Sequence, residues 1–366
     1  MNDVGPAPIR VMIVEDSIVV RLLLEQIVED DPRLVVAASV ESGEKAIEVI
    51  ERARPDVVSL DIRLPGIDGV ETTRRIMTQR PTPIVIVSGH LDSQELDVSM
   101  NALKAGALSI VEKPAGVTSS DYLPMASQIC RQFVLMSDVR VVRRRGIAGL
   151  ASTRSRINQG QIRQVRGVRS DAGTIRHRAL GIVASTGGPN AIVQLLCELG
   201  GAFPLPIFMV QHITDAFHEG FVRWLDGCVP MTVVDAEDGQ SATPGNVYVA
   251  PAGKHLVVGS HVMHTRDMPP VAGQRPSGTV LFESLESAYG ECAIGVLLTG
   301  MGSDGAQGLR SMFLAGAHTI AEDESTAVVY GMPKAAVNIG AVRELLPLPR
   351  IAPRLQDLAG RALEVS

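Results

Sequence analysis

The first third of the chain alternates continuous apolar runs with segments in which apolar residues recur every three or four positions. Continuous apolar runs are typical of strands covered on both faces, and the longer spacing is typical of amphipathic helices. The apolar runs are RVMIVED, LVVAASV, DVVSLD, PIVIVSG and LSIVEKP, and the first helical segment is SIVVRLLLEQIVED. This alternation predicts a (βα)5 domain with a parallel sheet.

The second half of the chain shows the same alternation. The segments ALGIVAS, LPIFMVQHI and AIGVLL predict strands, whereas GPNAIVQLLCELG, residues 215–225 and the segment after GSDGA predict helices. We therefore expect a second α/β domain, doubly wound and with mainly parallel strands. The length of 366 residues fits about two domains of roughly 150 residues each.

An arginine-rich segment separates the two patterns. Residues 137–178 hold 11 arginines and two acidic residues and show no sustained helical or strand period, whereas both flanking regions are net acidic. Blocks of like charge are usually flexible interaction segments. We therefore predict a first domain over residues 1–136, a linker over 137–178 and a second domain over 179–366.

Neither a membrane segment nor a disulfide framework is expected. No apolar run approaches the ~18 residues that a membrane span needs, and the start MNDVGPAPIR lacks the basic-then-apolar order of a secretory signal. The four cysteines lie far apart without paired spacing. The sequence therefore predicts a cytoplasmic protein without membrane insertion.

Polar residues follow the predicted strands of the first domain, where ligands of open parallel sheets gather. They are Glu15, Asp16, Asp61, Ser88 and Lys113. Crowded carboxylates repel one another unless a hard dication neutralises them, which indicates a Mg²⁺ site at Glu15, Asp16 and Asp61. Asp61 is then the candidate phosphoryl acceptor. A lysine and a small hydroxyl suit the phosphoryl oxygens, and Lys113 and Ser88 supply them.

The motifs IVEDS, DIRLPGIDG, VSG and EKP stand in the order found in response regulators. Residues 9 to about 136 thus resemble a receiver domain, which implies a flavodoxin-like fold and phosphorylation by a chemotaxis-type histidine kinase. Two residues depart from the usual pattern. Leu64 stands where methionine is commoner, and Ile110 stands where an aromatic residue often reports the phosphorylated state. The second departure weakens an aromatic switch and leaves the acceptor chemistry untouched.

Three strands of the second domain are predicted to end at residues that suit nucleophilic catalysis. Ser185 is the candidate nucleophile, His212 the base and Asp304 the group that orients the base. Backbone N–H groups in TGMGSDG are candidates to polarise a carbonyl oxygen, with Met301 as the preferred donor. Each element also has an alternative: a strand-end histidine is often structural, the glycines around Asp304 can serve only a turn, and STGG alone can hold a phosphate.

Six motifs of the second domain, spread over residues 179 to about 345, resemble the effector domain of the protein-glutamate methylesterases of bacterial chemotaxis. They are ASTGGP, VQHI, VYVAPAGKHL, RPSG, LLTGMGSDGA and YGMPKAA. The resemblance implies a carboxylic ester hydrolase without a cofactor, in which Thr186 supports the triad of Ser185, His212 and Asp304. It also implies γ-glutamyl methyl esters of chemoreceptors as substrates, hydrolysed to glutamate and methanol, sometimes with deamidation of receptor glutamines.

Three residues near the expected site depart from that family. Val183 stands where glycine is usual, and Gly278 and Thr279 stand where valine and aspartate are usual. Val183 either fills strand volume or narrows the approach to the hydroxyl. Gly278 and Thr279 are candidates to change how the receptor helix is held.

Two functions of other classes compete with an esterase. A response regulator with a non-catalytic binding or phosphate-sink output is one, and the intact Ser185, His212 and Asp304 argue against it. A DNA-binding response regulator is the other. The second domain is acidic and shows no recognisable helix-turn-helix, and the block of basic charge lies in the linker. No nucleic-acid partner is therefore expected.

Overall fold

The computed structural model describes residues 7–89, 93–114, 116, 122–139, 141 and 177–360. The chain divides into two units, Met1–Asn158 and Gln159–Ser366, and each is described by itself. The predicted linker lies almost entirely outside the described residues, so its limits stay a prediction. Among the described residues, every helix is too short or too polar to cross a membrane.

The first unit is a five-stranded parallel sheet in the order β2-β1-β3-β4-β5, with helices between the strands. This confirms the (βα)5 prediction. The strands are β1 (Ile9–Val14), β2 (Leu34–Val40), β3 (Val57–Leu60), β4 (Ile84–Ser88) and β5 (Ser109–Glu112). The helices are α1 (Ile18–Glu29), α2 (Gly43–Ala53), α3 (Gly69–Gln79), α4 (Ser93–Ala105) and α5 (Tyr122–Ser137).

The start of α3 is held close to the end of β3, where Asp61 stands. Asp68 caps the helix, since its Oδ1 accepts the N–H of Glu71 at 2.8 Å. The next residue is Gly69, and a Cβ there would lie 2.5 Å from the Asp61 carbonyl oxygen. Glycine therefore permits the close approach that fixes the loop after Asp61.

The second unit contains a seven-stranded parallel sheet in the order β14-β13-β12-β6-β7-β9-β8, beside an antiparallel hairpin of β10 and β11. Its strands are β6 (Ala179–Ala184), β7 (Ile207–Gln211), β8 (Thr232–Asp235), β9 (Asn246–Val249), β10 (His255–Val258), β11 (Met263–Arg266), β12 (Ala293–Leu297), β13 (His318–Glu322) and β14 (Glu344–Leu346). Its helices are α6 (Gly188–Leu199), α7 (Asp215–Cys228), α8 (Gly278–Tyr289), α9 (Ala306–Leu314), α10 (Met332–Asn338) and α11 (Leu348–Gly360), with a 3₁₀ turn over Gly290–Cys292.

The second sheet confirms the mainly parallel α/β prediction. Its strands β6, β7 and β12 are buried along their whole length, as their apolar runs predict. The chain leaves β6 toward β7 on one side, and β12 later pairs with β6 on the other side. The strand order therefore reverses at β6, and ligands of doubly wound sheets bind outside the strand ends at such a point.

Candidate catalytic and phosphoacceptor sites

The five predicted polar residues of the first unit lie together at the carboxyl ends of its strands. Lys113 Nζ lies 2.7 Å from Glu15 Oε2 and 2.9 Å from Asp61 Oδ2. Carboxylate oxygens of Glu15, Asp16 and Asp61 all lie within 4.8 Å of one another. Ser88 is buried at the end of β4, and its carbonyl oxygen accepts the N–H of Lys113 at 2.8 Å. The structure thus brings together every residue that the strand ends predict.

The electrostatics of this cluster favour an added cation. Burial raises the pKa of Glu15, and the nearby charge of Asp61 raises it further. Burial also raises the pKa of Asp61, although Lys113 opposes that shift. The Lys113 ammonium loses solvation on burial, yet its two carboxylate partners outweigh that loss and raise its pKa. Three carboxylates beside one lysine keep a net negative charge, and this donor set fits Mg²⁺.

Strand register places Ser185 and His212 side by side. Ala184 pairs with Gln211 across β6 and β7, so the residues that follow each strand are neighbours. The N–H of His212 donates to the Ala184 carbonyl oxygen at 3.0 Å, which continues the pairing. Gln211 also links the two residues, because its Nε2 donates to the carbonyl oxygens of Ser185 and His212, each at 2.9 Å.

Asp304 is hydrogen-bonded to the imidazole of His212. His212 Nε2 lies 2.8 Å from Asp304 Oδ2, and both side chains are buried. His212 Nδ1 is also buried and has no hydrogen-bond partner among the described residues. An Nε2–H tautomer that donates to Asp304 leaves the Nδ1 lone pair free to accept a proton.

Three donors from the start of α8 hold the Asp304 carboxylate. The Ser277 hydroxyl donates to Oδ1 at 2.6 Å, the N–H of Gly278 donates to Oδ2 at 2.6 Å, and the N–H of Thr279 donates to Oδ1 at 3.2 Å. Burial opposes the charge of Asp304, but the hydrogen bonds from His212, Ser277 and Gly278 outweigh it and lower its pKa to about 2. Asp304 therefore stays ionised at neutral pH.

Thr299 joins the turn after Ser185 to the turn that carries Met301. Its carbonyl oxygen accepts the N–H of Ser185 at 3.0 Å, and its hydroxyl donates to the Thr186 carbonyl oxygen at 2.9 Å. A Cβ on Gly300 would lie 2.8 Å from Ser185 Cβ, so the turn runs directly beside the serine. Met301 is 38% exposed, and its backbone N–H donates to no acceptor in the described part of the chain.

The three departures from the family pattern lie inside the protein. Val183 is fully buried, which favours the alternative that it fills volume in the strand. Gly278 and Thr279 are buried as well, and their N–H groups face Asp304. Gly278 and Thr279 therefore bind the carboxylate that is hydrogen-bonded to His212.

Sequence reasoning missed four residues that support the site: Gln211, His255, Ser277 and Thr299. His255 is fully buried, accepts the N–H of Ser277 on Nδ1 at 3.2 Å and lies 3.2 Å from the Pro269 carbonyl oxygen through Nε2. All four stand within motifs quoted above, namely VQHI, VYVAPAGKHL, RPSG and LLTGMGSDGA. The motifs were the only signal, since nothing in their spacing assigns these residues a role.

Two family models match the chain. A model described as CheB methylesterase matches residues 180–355, and a model described as a response regulator receiver domain matches residues 11–119. The two matches fall on the second and the first unit respectively.

Several curated proteins are similar along nearly their whole length. Protein-glutamate methylesterase/protein-glutamine glutaminase 2 of Paramagnetospirillum magneticum is 53% identical over 355 residues, which cover 96% of this chain and 97% of that protein. Protein-glutamate methylesterase/protein-glutamine glutaminase 1 of Syntrophus aciditrophicus is 43% identical, with coverage of 96% and 99%. The crystal structure of the Thermotoga maritima CheB methylesterase catalytic domain is 33% identical, covers 50% of this chain and 100% of that domain, and gives a TM-score of 0.49.

Proposed function

The chain belongs to the CheB family of protein-glutamate methylesterases/protein-glutamine glutaminases that carry a receiver domain, and from that membership we propose its substrates and the role of each site residue. The proposed reaction is hydrolysis of glutamate γ-methyl esters on chemoreceptors to glutamate and methanol. The same site deamidates receptor glutamines with release of ammonia. The observation that carries this proposal is the His212–Asp304 hydrogen bond beside Ser185.

Ser185 is the proposed nucleophile. Its Oγ attacks the ester carbonyl while His212 Nδ1 accepts the hydroxyl proton. The tetrahedral oxyanion accepts the N–H of Met301, and collapse expels methanol, which takes its proton from the His212 imidazolium. A water molecule then attacks the glutamyl ester on Ser185, again with His212 as base, and this step releases glutamate and restores the serine.

The two nitrogens of His212 have separate roles in this scheme. Nε2–H stays bonded to Asp304, so Nδ1 is the nitrogen that exchanges protons with the serine and the leaving group. The more familiar serine triad directs Nδ1 toward the carboxylate and Nε2 toward the serine. Asp304 remains ionised throughout, because its pKa of about 2 lies far below that of an imidazolium.

Asp61 is the proposed phosphoryl acceptor, and a chemotaxis-type histidine kinase is the proposed donor. Glu15, Asp16 and Asp61 would hold Mg²⁺, which neutralises phosphoryl charge when bound. Lys113 would pair with the phosphoryl oxygens in place of its present carboxylate contacts, and the Ser88 hydroxyl would donate to one of them. We propose that phosphorylation of Asp61 raises the esterase rate and that kinase and receptors meet this chain in the cytoplasm.

The proposed function is tested by following methanol released from receptor membranes that carry labelled methyl esters. We expect the full-length protein to release methanol, and to release it faster in the presence of acetyl phosphate and Mg²⁺. Acetyl phosphate should not raise the rate of methanol release by the Asp61→Asn variant. Ser260→Ala changes an exposed serine of the second unit and serves as the matched control for Ser185→Ala. If the protein bound methylated receptors and released no methanol, its output would be a non-catalytic binding function.

A further inference from the structure

Glu322 is a buried carboxyl group that the reaction scheme does not use. It is the last residue of β13 and is 1% exposed. Its Oε2 accepts the N–H of Thr299 at 2.8 Å, and Thr326 donates a second hydrogen bond to its carboxyl group. Glu322 therefore touches the residue that joins the turn after Ser185 to the turn of Met301.

The surroundings of Glu322 do not supply a counter-charge. Burial raises the pKa of Glu322 to about 7, the two hydrogen bonds oppose that shift, and the negative charge of Asp323 adds to it. Asp323 is the charged residue whose field affects the Glu322 carboxyl group. In the described part of the chain, β12, β14 and the helices packed on them bring no positively charged side chain next to Glu322. Glu322 is thus an acid whose charge changes near neutral pH.

Thr299 transmits the state of Glu322 to both turns of the site. Its hydroxyl accepts the N–H of Val329 at 2.9 Å, and the Val329 carbonyl oxygen accepts the N–H of Gly300 at 3.0 Å. Together with the bonds to Ser185 and Thr186, these contacts leave Thr299 little freedom. A change in the strength of the Thr299 N–H bond therefore acts on the position of the Gly300–Met301 turn.

We propose that Glu322 is a positioning residue whose ionisation, acting through Thr299, sets the turn that receives the oxyanion beside Ser185. The proposal rests on the function assigned above to that turn. An ionised carboxylate accepts an N–H about twice as strongly as a neutral carboxyl group. The turn is therefore held more firmly when Glu322 is charged, and turnover increases as the pH rises through neutrality.

The expected effect is on kcat and not on KM. The N–H of Met301 meets the developing oxyanion, so its position acts on the transition state. Glu322→Gln keeps a neutral acceptor of the same shape for Thr299 and removes the titration. We expect this variant to lose about threefold to tenfold in kcat at pH 8, the range set by a charged against a neutral acceptor. At pH 5.5 it should match the unchanged protein.

The test combines spectroscopy with kinetics on the full-length protein. The ¹⁵N–¹H signal of the Thr299 amide is followed from pH 5.5 to 8.5 in the unchanged protein, in Ser185→Ala, in Glu322→Gln and in Glu324→Gln. Glu324 is exposed and two residues from Glu322, so its variant is the matched control. The pH profile of kcat for methanol release is measured on the same proteins except Ser185→Ala.

We expect the Thr299 signal to titrate near pH 7 in every protein except Glu322→Gln. The matching step in kcat should disappear in that variant alone. A Thr299 signal that does not titrate, or a kcat profile of Glu322→Gln identical to that of Glu324→Gln, would overturn the proposal. Because the signal is also read in Ser185→Ala, absence of turnover would count against the proposed function and not against the coupling of Glu322 to Thr299.

Discussion

Val183 occupies the space that a side chain on Gly278 would need. A Cβ on residue 278 would lie 2.8 Å from Val183 Cγ2 and closer still to Cγ1. The family resemblance of the motifs implies glycine at the first position and valine at the second, so the two departures form one exchanged pair. The apolar volume is kept, and it is supplied by β6 in place of α8.

The exchanged pair predicts an energetic coupling. Gly278→Val alone should overpack the core and cost about 1–3 kcal/mol. It should also slow methanol release, because the Gly278 N–H holds Asp304. Val183→Gly alone should cost about 2–4 kcal/mol through a cavity and a glycine within a strand. The double variant should recover part of both losses.

Urea unfolding followed by fluorescence of the single tryptophan, Trp224, measures this coupling, since that residue is buried in the second unit. The double variant, Val183→Gly with Gly278→Val, also serves as the control for misfolding of either single variant. Strictly additive losses would show that the two side chains do not share one space.

Ser277→Ala should raise the pKa of Asp304 and lower kcat. The variant removes the 2.6 Å hydroxyl donor to Oδ1 inside the protein. A lost hydrogen bond to a buried charge costs about 1.5–3 kcal/mol, and we expect kcat to fall about tenfold. Folded Asp304 has a pKa of about 2 against 3.8 for the free group, so its stabilising effect is present above pH 4 and is lost as the pH falls through 2.

The acid unfolding of the second unit, read from Trp224, should therefore begin at a higher pH in Ser277→Ala. Ser260→Ala changes an exposed serine and should leave the acid transition unchanged. Equal acid transitions in both variants would mean that the serine hydroxyl does not stabilise the charged carboxylate.

Glu322→Gln should stabilise the protein at high pH. The folded pKa of about 7 lies above the 4.5 of the free group, so the folded state holds the extra proton between these values. Stability therefore falls as the pH rises from 4.5 to 7, by about 3 kcal/mol in total. Glu322→Gln should flatten that decline, as measured by urea unfolding at pH 5 and pH 8. A decline equal to that of Glu324→Gln would contradict the assigned shift.

Asp61→Asn should abolish Mg²⁺-dependent incorporation of phosphate from acetyl phosphate. The substitution removes the acceptor oxygen and keeps the size of the side chain, so the fold should persist. Asp30→Asn changes an exposed aspartate at the end of α1 and should be phosphorylated normally. Acid-stable phosphate on Asp61→Asn would show that a hydroxyl group is the acceptor.

The sequence predicts the strands and the strand-end residues well because both follow from local patterns. Continuous apolar runs mark β6, β7 and β12, and parallel register then brings Ser185 and His212 together. The short strands β8 to β11 have four residues each and mixed exposure, so their sequences show no regular spacing of apolar residues that would predict a strand.

Two contacts of the site that join distant segments escaped prediction. Ser277 and Asp304 are 27 residues apart, and only the packed fold brings the hydroxyl to the carboxylate. Glu322 follows an apolar run and is succeeded by the polar residues DEST, a pattern typical of an exposed loop. Glu322 is buried because β13 pairs with β12 and β14. Neither the apolar run before Glu322 nor the polar segment after it predicts that pairing.

In the proposed reaction, Ser185 and His212 act as one catalytic unit. Methanol release from methylated receptor membranes should be compared for the phosphorylated full-length protein, Ser185→Ala, His212→Gln and the double variant. Each single change should lower kcat by about a thousandfold or more, and the double variant should lose little beyond that, because nucleophile and base serve the same bond. Wild-type turnover by Ser185→Ala would contradict this mechanism and place the nucleophile elsewhere.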